Sequence, residues 1–296
     1  GVFGAAAAAG RLLRLDERQM AWALGIAATQ ASGLTAMLGS MSKSFNMGHA
    51  AGSGLTAALL ASRNFTSSPS GIEAPRGFAH VLAQRPRLGE ITAELGTRWE
   101  LCGNACKPFP CGIVLHPVID GCIQLQRAHA LAPQRISRVD VRVNPLVLEL
   151  AGRKAPATGL EGKLSVYHAA AAALAHGAAG VKQFGDACVN EPTVRALREK
   201  VVPQADAAIG MTAARVGVLL DDGRVLTQDV AHAIGSLQRP MSDAELEQKF
   251  RSLADEAFDD CHAWDVIELA WSLDRLNDAA SLARAVAPGG PPNARH

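Results

Sequence analysis

From Gln19 to Ser42 the chain carries no charged residue, over a length that could cross a bilayer. The stretch is built mostly from Ala, Gly, Thr and Ser with two Gln, rather than from Leu, Ile and Phe. Such small residues let helices approach closely, so the segment predicts a helix buried on all sides in a soluble bundle, not a membrane span. The N-terminus has the same character. Gly1-Val2-Phe3-Gly4 precedes five alanines with no initiator Met and no basic leader region. It does not read as a signal peptide but like the middle of a buried helix, with further residues expected before it.

At 296 residues the chain has room for about two domains. Its 29 Lys and Arg nearly balance 28 Asp and Glu, so it has no basic field to hold a nucleic-acid backbone. With 48% hydrophobic residues it is too apolar for a disordered chain. Six cysteines (Cys102, Cys106, Cys111, Cys122, Cys188, Cys261) are sparse for this length. They suggest reduced thiols in a cytoplasmic protein rather than a disulfide framework.

The hydrophobic period changes twice along the chain. Residues 1–100 read as the first part of a helical domain. Asp16 stands at an N-cap position with Gln19 three residues on, and Met20, Leu24, Ala27, Ala31, Leu34 and Leu38 follow at helical spacing. After a break at Gly39–Met47, a second helix is expected from about Gly48 to Ser62. Residues 101–233 read as an α+β domain. Val139, Val141 and Val143 alternate with charged residues, and Asp221-Asp222-Gly223 separates two apolar runs as a hairpin turn would. Helices are expected after His116-Pro117 and over Lys163–Ala175 and Thr193–Val201. Residues 234–296 read as helical again, opened by the capping box Ser242-Asp243-Ala244-Glu245; Trp264, Ile267, Ala270 and Trp271 then share one helix face. The Pro/Gly tail from Pro288 is expected to be disordered. Mainly α, with an inserted α+β lid, is the predicted fold class, and the last helices should pack back on the first.

Two segments hold polar residues in unusual settings. In Ser42-Lys43-Ser44-Phe45-Asn46-Met47-Gly48-His49 a lysine stands shortly before a glycine expected to open a helix. The unpaired N–H groups of a helix start and a lysine counter-ion could hold a carboxylate, although a solvated loop lysine fits the same pattern. His49 reads equally as a surface or packing residue. The second segment, Lys107 to Pro117, is stiffened by Pro108 and Pro110 and delivers Cys111 and His116 to a helix start. The spacing of Cys102, Cys106, Cys111 and His116 fits neither usual zinc nor iron–sulfur patterns, so no metal is expected. His168, His176 and His232 read as structural, and His116 could be a helix-capping residue.

Four segments in consistent order carry a family resemblance: Met41–Leu60, Lys107–Asp120 (KPFPCGIVLHPVID), Gly159–Ser165 (GLEGKLS) and Ser242–Phe250 (SDAELEQKF). Together the chain resembles the MmgE/PrpD family, which includes 2-methylcitrate dehydratases, cis-aconitate decarboxylases and an iminodisuccinate epimerase. The resemblance implies a large helical domain interrupted by an α+β lid, with the active site in the cleft between them. It implies a homodimer that acts on a small carboxylate without metal or organic cofactor. It also implies a longer chain, whose missing N-terminal part would supply an active-site histidine and the main base.

Lys43 matches the active-site lysine of the family motif K-P-L-x-x-G-x-A-A, with Ser44 in place of the proline. Lys107 and His116 match the loop leading into the lid. The family's decarboxylases carry a histidine directly after the position of Cys111, and here that residue is Gly112. The resemblance therefore implies a metal-independent hydro-lyase of the 2-methylcitrate dehydratase type. Lys43 and His116 are its candidate catalytic residues, and Gly48, His49, Lys107 and Cys111 its candidate substrate-binding positions. Epimerisation or isomerisation of a dicarboxylate, cis-aconitate-type decarboxylation, and an inactive short family member are the alternatives.

Overall fold

The first turn after Asp16 shows how local sequence sets the fold. The Gln19 N–H donates to Asp16 Oδ1 at 2.7 Å and the Asp16 N–H to Gln19 Oε1 at 3.2 Å, which closes the expected capping box. The computed structural model describes residues 1–37, 40–254 and 260–287. The chain divides into two compact units, Gly1–Cys102 and Gly103–His296.

The first unit is helical: α1 (Val2–Leu12), α2 (Glu17–Gln30), α3 (Ser42–Ser62) and the short α4 (Phe78–Leu82). Its core is small, formed by Val2, Ala6, Ile26, Ala27 and Ala57 with Phe3 and Leu60 at the margin. Small residues allow that packing. A Cβ on Gly54 of α3 would lie 2.5 Å from Ala5 Cβ and 2.6 Å from the Val2 carbonyl, so α1 and α3 meet backbone to backbone. Gly54→Ala should therefore cost about 1–3 kcal/mol by overpacking, read as a lower midpoint in denaturant. Unchanged stability would mean that the two helices separate at no cost.

Two expectations need correction here. The uncharged stretch is not one helix buried on all sides. α2 ends at Gln30, and only Ala23, Gly25, Ile26 and Ala27 of it are buried. Gly33 has φ +127, a conformation L side chains rarely adopt, and it breaks the stripe before Leu34, which is 70% exposed. Leu38 lies outside the described residues. The second helix begins at Ser42 rather than Gly48, since nothing in residues 42–47 breaks it. Ser44 keeps the N–H that a proline would lack and donates it to the Met41 carbonyl at 3.1 Å.

The second unit is mixed. It begins with α5 (His116–His129), then β1 (Ile136–Val143), followed by the helices α6 (Pro145–Ala151), α7 (Gly159–Gly162), α8 (Val166–His176), α9 (Asp186–Val189) and α10 (Pro192–Lys200). Three strands complete the sheet: β2 (Val201–Ala205), β3 (Ala214–Leu220) and β4 (Val225–Val230). The strand order is β2-β1-β3-β4, with β1 parallel to β2 and antiparallel to β3. Val139, Val141 and Val143 point into the core as their alternation predicts, beside Val216 and Val218 of β3. Leu115, Val118 and Ile119 at the start of α5, and the alanines of α8, fill the same core. Gly223, at φ +86, closes the β3–β4 hairpin where Asp-Gly places it.

Three helices follow: α11 (Asp243–Ala254), α12 (Asp260–Trp271) and α13 (Ala280–Ala285). The Ser242 N–H donates to Glu245 Oε2 at 2.8 Å and the Glu245 N–H to Ser242 Oγ at 3.3 Å, so the second capping box is also formed. Ile267 is buried, while Trp264 and Trp271 are 42% and 49% exposed; Arg251 covers the Trp264 ring, and Trp271 Nε1 donates to Glu247. The Pro/Gly tail from Pro288 and the Cys261 side chain lie outside the described residues. The described residues are mainly helical with one small mixed sheet. Among the described residues no helix is long and apolar enough to cross a membrane.

Candidate functional site

The segment Lys107–Asp120 is held by contacts that its sequence makes possible. Pro117 sits in the first turn of α5, where a missing N–H costs nothing. The Gly112 N–H donates to the Lys163 carbonyl at 3.0 Å, which fastens the loop to the Gly159–Ser165 segment. Lys107 Nζ reaches the Cys111 carbonyl at 3.2 Å. Lys107, Cys111 and His116 are thereby gathered in one place, as the sequence predicts for that loop.

His116 is 3% exposed, and its ring meets Phe109 edge-on at 5.4 Å. Burial pushes its pKa down to about 4, with help from the Lys107 and Lys249 charges and against the backbone groups of Phe109 and Cys111. The imidazole is neutral near pH 7. Among the described residues its buried Nε2 has no hydrogen-bond partner, a costly state that marks an atom able to accept from or donate to something else. His116 also lines a cavity of about 290 Å³ with Cys106, Ile113, Thr212, Ile234 and Gly235. Cys111 differs. Burial pushes its thiol up to about 12 against Lys107 and Lys163, so it stays protonated and is no nucleophile at neutral pH.

Sequence reasoning missed what holds the far wall of this cavity. Asp120, 5% exposed on α5, accepts from the Ile234 N–H at 3.0 Å and from Arg239 at 2.5 Å. Gly235 adopts φ +85 where a Cβ would lie 2.3 Å from the Cys106 carbonyl. The signal was present in the carboxylate that ends the KPFPCGIVLHPVID run, on the helix face it shares with His116.

The other candidates lie in the first unit, on α3. Lys43 is its second residue and is exposed; among the described residues its ammonium has no ion pair or hydrogen bond. No acidic residue stands in that first turn. Gly48 is not the helix start: it lies well inside α3, where an added Cβ would meet nothing. The proposed contribution of a helix N-terminus at Gly48 is thus replaced by the N-terminus at Ser42, beside Lys43 itself. His49 is exposed and stacks on Phe45 at 5.9 Å.

Of the histidines read as structural, His168 fits: it is fully buried, with Nε2 2.8 Å from the Gln183 carbonyl. His232 and His176 are on the surface rather than in apolar surroundings.

The profile of the MmgE/PrpD C-terminal domain matches residues 109–273, and that of the MmgE/PrpD N-terminal domain matches residues 1–90. A cis-aconitate decarboxylase of Aspergillus terreus (strain NIH 2624 / FGSC A1156) is 29% identical over 307 residues, covering 95% of this chain and 62% of that protein. The Homo sapiens cis-aconitate decarboxylase is 27% identical, with 99% of this chain and 62% of its own length covered. The Mus musculus protein of the same name is also 27% identical, with 96% and 60% covered. The chain therefore spans about three fifths of the length of these curated relatives.

Proposed function

The chain belongs to the MmgE/PrpD family, and from that premise we propose that it is a lyase working next to a carboxylate of a small di- or tricarboxylate. The observation that carries this is the orphan Nε2 of the buried, neutral His116 on a cavity wall. A neutral imidazole can exchange a proton with a substrate carbon or oxygen; for the cation that holds a carboxylate, the family resemblance makes the exposed Lys43 of the first unit the candidate. In the hydro-lyase reading the proton next to a carboxylate and the hydroxyl of a 2-hydroxy acid leave together as water, giving an alkene. Gly112 favours that reading, because the resemblance places a histidine there in the decarboxylases. The same reading carries a homodimer, and the exposed Met41, which caps α3, with Phe45 and Met47 inside it, suits an apolar contact.

Decarboxylation of cis-aconitate is the second reading, favoured by the relatives' names. There carbon dioxide leaves and a proton replaces it. Proton NMR in D2O separates the two when the chain is given 2-methylcitrate, citrate, cis-aconitate and iminodisuccinate in turn. A new vinyl signal from a citrate is the expected result. Itaconate from cis-aconitate would overturn the argument from Gly112, and deuterium uptake without a new alkene would indicate an epimerase. Gly112→His supplies a direct check. A Cβ there meets only ordinary contacts, the nearest being the Lys163 carbonyl at 3.5 Å, so the variant should fold. It is expected to shift product from alkene-forming dehydration toward itaconate.

A further inference from the structure

His176, Cys188 and Glu191 converge on the surface of the second unit, in a place that the proposed reaction does not use. Their candidate ligand atoms all lie within 4.8 Å of one another. Glu191 Oε2 is 3.0 Å and Cys188 Sγ 3.6 Å from the same atom, Nε2 of His176. In a nucleophile–base–carboxylate relay the thiol and the carboxylate would engage opposite ring nitrogens, so this is not one. A simple ion pair explains the carboxylate but not the sulfur, since one ring nitrogen has a single proton or lone pair to share. We propose that His176, Cys188 and Glu191 form a binding site for a divalent transition-metal ion of the zinc class, with a fourth position open to water.

The spacing suits that ion. Zinc bonds of about 2.0–2.3 Å at a tetrahedral angle put a nitrogen and an oxygen about 3.3 Å apart and a nitrogen and a sulfur about 3.6 Å apart. The mixture of imidazole, thiolate and carboxylate matches the ligand types zinc accepts and is poor for calcium or magnesium, which take oxygen.

The frame is firm. His176 ends α8, and Gly177 at φ +62 closes that helix with its N–H on the Ala173 carbonyl at 2.9 Å. The negative end of the helix thus faces the site, which favours a cation. Cys188 lies in α9 and is 8% exposed. Asn190 Nδ2 donates to the Asp186 carbonyl at 2.9 Å and to the Ala157 carbonyl at 3.2 Å, and the Glu191 N–H donates to the Cys188 carbonyl at 3.2 Å. Pro192 then starts α10, which fixes the backbone after Glu191. The His176 and Glu191 side chains are 31% and 35% exposed, so an ion can enter.

The test is titration of the chelator-stripped chain with Co(II), a spectroscopic substitute for zinc. One equivalent should bind, with a thiolate-to-cobalt charge-transfer band that Zn(II) then bleaches. Cys188→Ser should abolish the band, whereas Cys102→Ser and Cys106→Ser should keep it. His176→Gln and Glu191→Gln should each weaken binding at least tenfold, and because both side chains are partly exposed these variants serve if Cys188→Ser does not fold. No thiolate band, or a band and affinity unaltered by all three site substitutions, would overturn the proposal.

Discussion

Lys43→Ala is expected to lower kcat/KM by about 10²–10³-fold, the usual consequence of removing one charge-stabilising donor from a reacting group. The same change should leave stability unaltered or slightly raised. Lys43 is exposed, in the first turn of α3, where the helix end is already positive and no acidic residue balances it. Relieving that conflict should stabilise the helix by about 0.3–1 kcal/mol, and alanine is the better helix former. A locally unfavourable cation with no partner among the described residues is the pattern of a residue that serves binding rather than folding. Turnover by NMR and a denaturant melt on one preparation give both numbers. Lys43→Arg, which keeps the charge, should retain more activity than the alanine variant. Turnover within a few-fold of the parent for Lys43→Ala would remove Lys43 from the reaction.

How legible the chain was depended on where the deciding contacts lie. The two capping boxes, at Asp16/Gln19 and Ser242/Glu245, are local and formed as read. The alternation of Val139, Val141 and Val143 and the Asp-Gly hairpin are local too, and the sheet confirms both. The helix boundaries that failed turned on backbone details. Gly33 needs a positive φ, which a hydrophobic stripe cannot announce, and Ser44 lets α3 start six residues before Gly48, where the sequence pattern places its opening. The site was half legible for a similar reason. Lys107, Cys111 and His116 share one stiff loop, so their proximity followed from spacing. The hold of Asp120 on Ile234 and Arg239 joins residues more than a hundred positions apart, and the His176–Cys188–Glu191 group joins the ends of three helices. The run marks Asp120 as a carboxylate on the face of His116, but neither set of partners is visible in a linear pattern.

His116 supplies the second large effect, because burial ties its charge to folding. In the unfolded chain a histidine titrates near 6.5, and in the folded chain His116 titrates near 4, mainly because burial disfavours the imidazolium. Below about 6.5 the unfolded state therefore binds the extra proton first. The titration of His116 takes nothing from the fold above that pH, and the fold loses stability progressively as pH falls from 6.5 toward 4. At 1.36 kcal/mol per unit the full loss is roughly 3 kcal/mol. His168, also buried and also pushed down, acts in the same direction, so the parent alone cannot isolate the effect. The difference between parent and His116→Gln can. It should shrink, or reverse in favour of the variant, by about 3 kcal/mol between pH 7 and pH 4 in denaturant melts. At pH 7 the same variant should lose about 10²–10⁴-fold in turnover if His116 exchanges the substrate's proton. A pH-independent stability difference would show that the ring is not buried neutral. Full turnover together with the expected pH dependence would leave His116 a core residue and take the proton exchange from it.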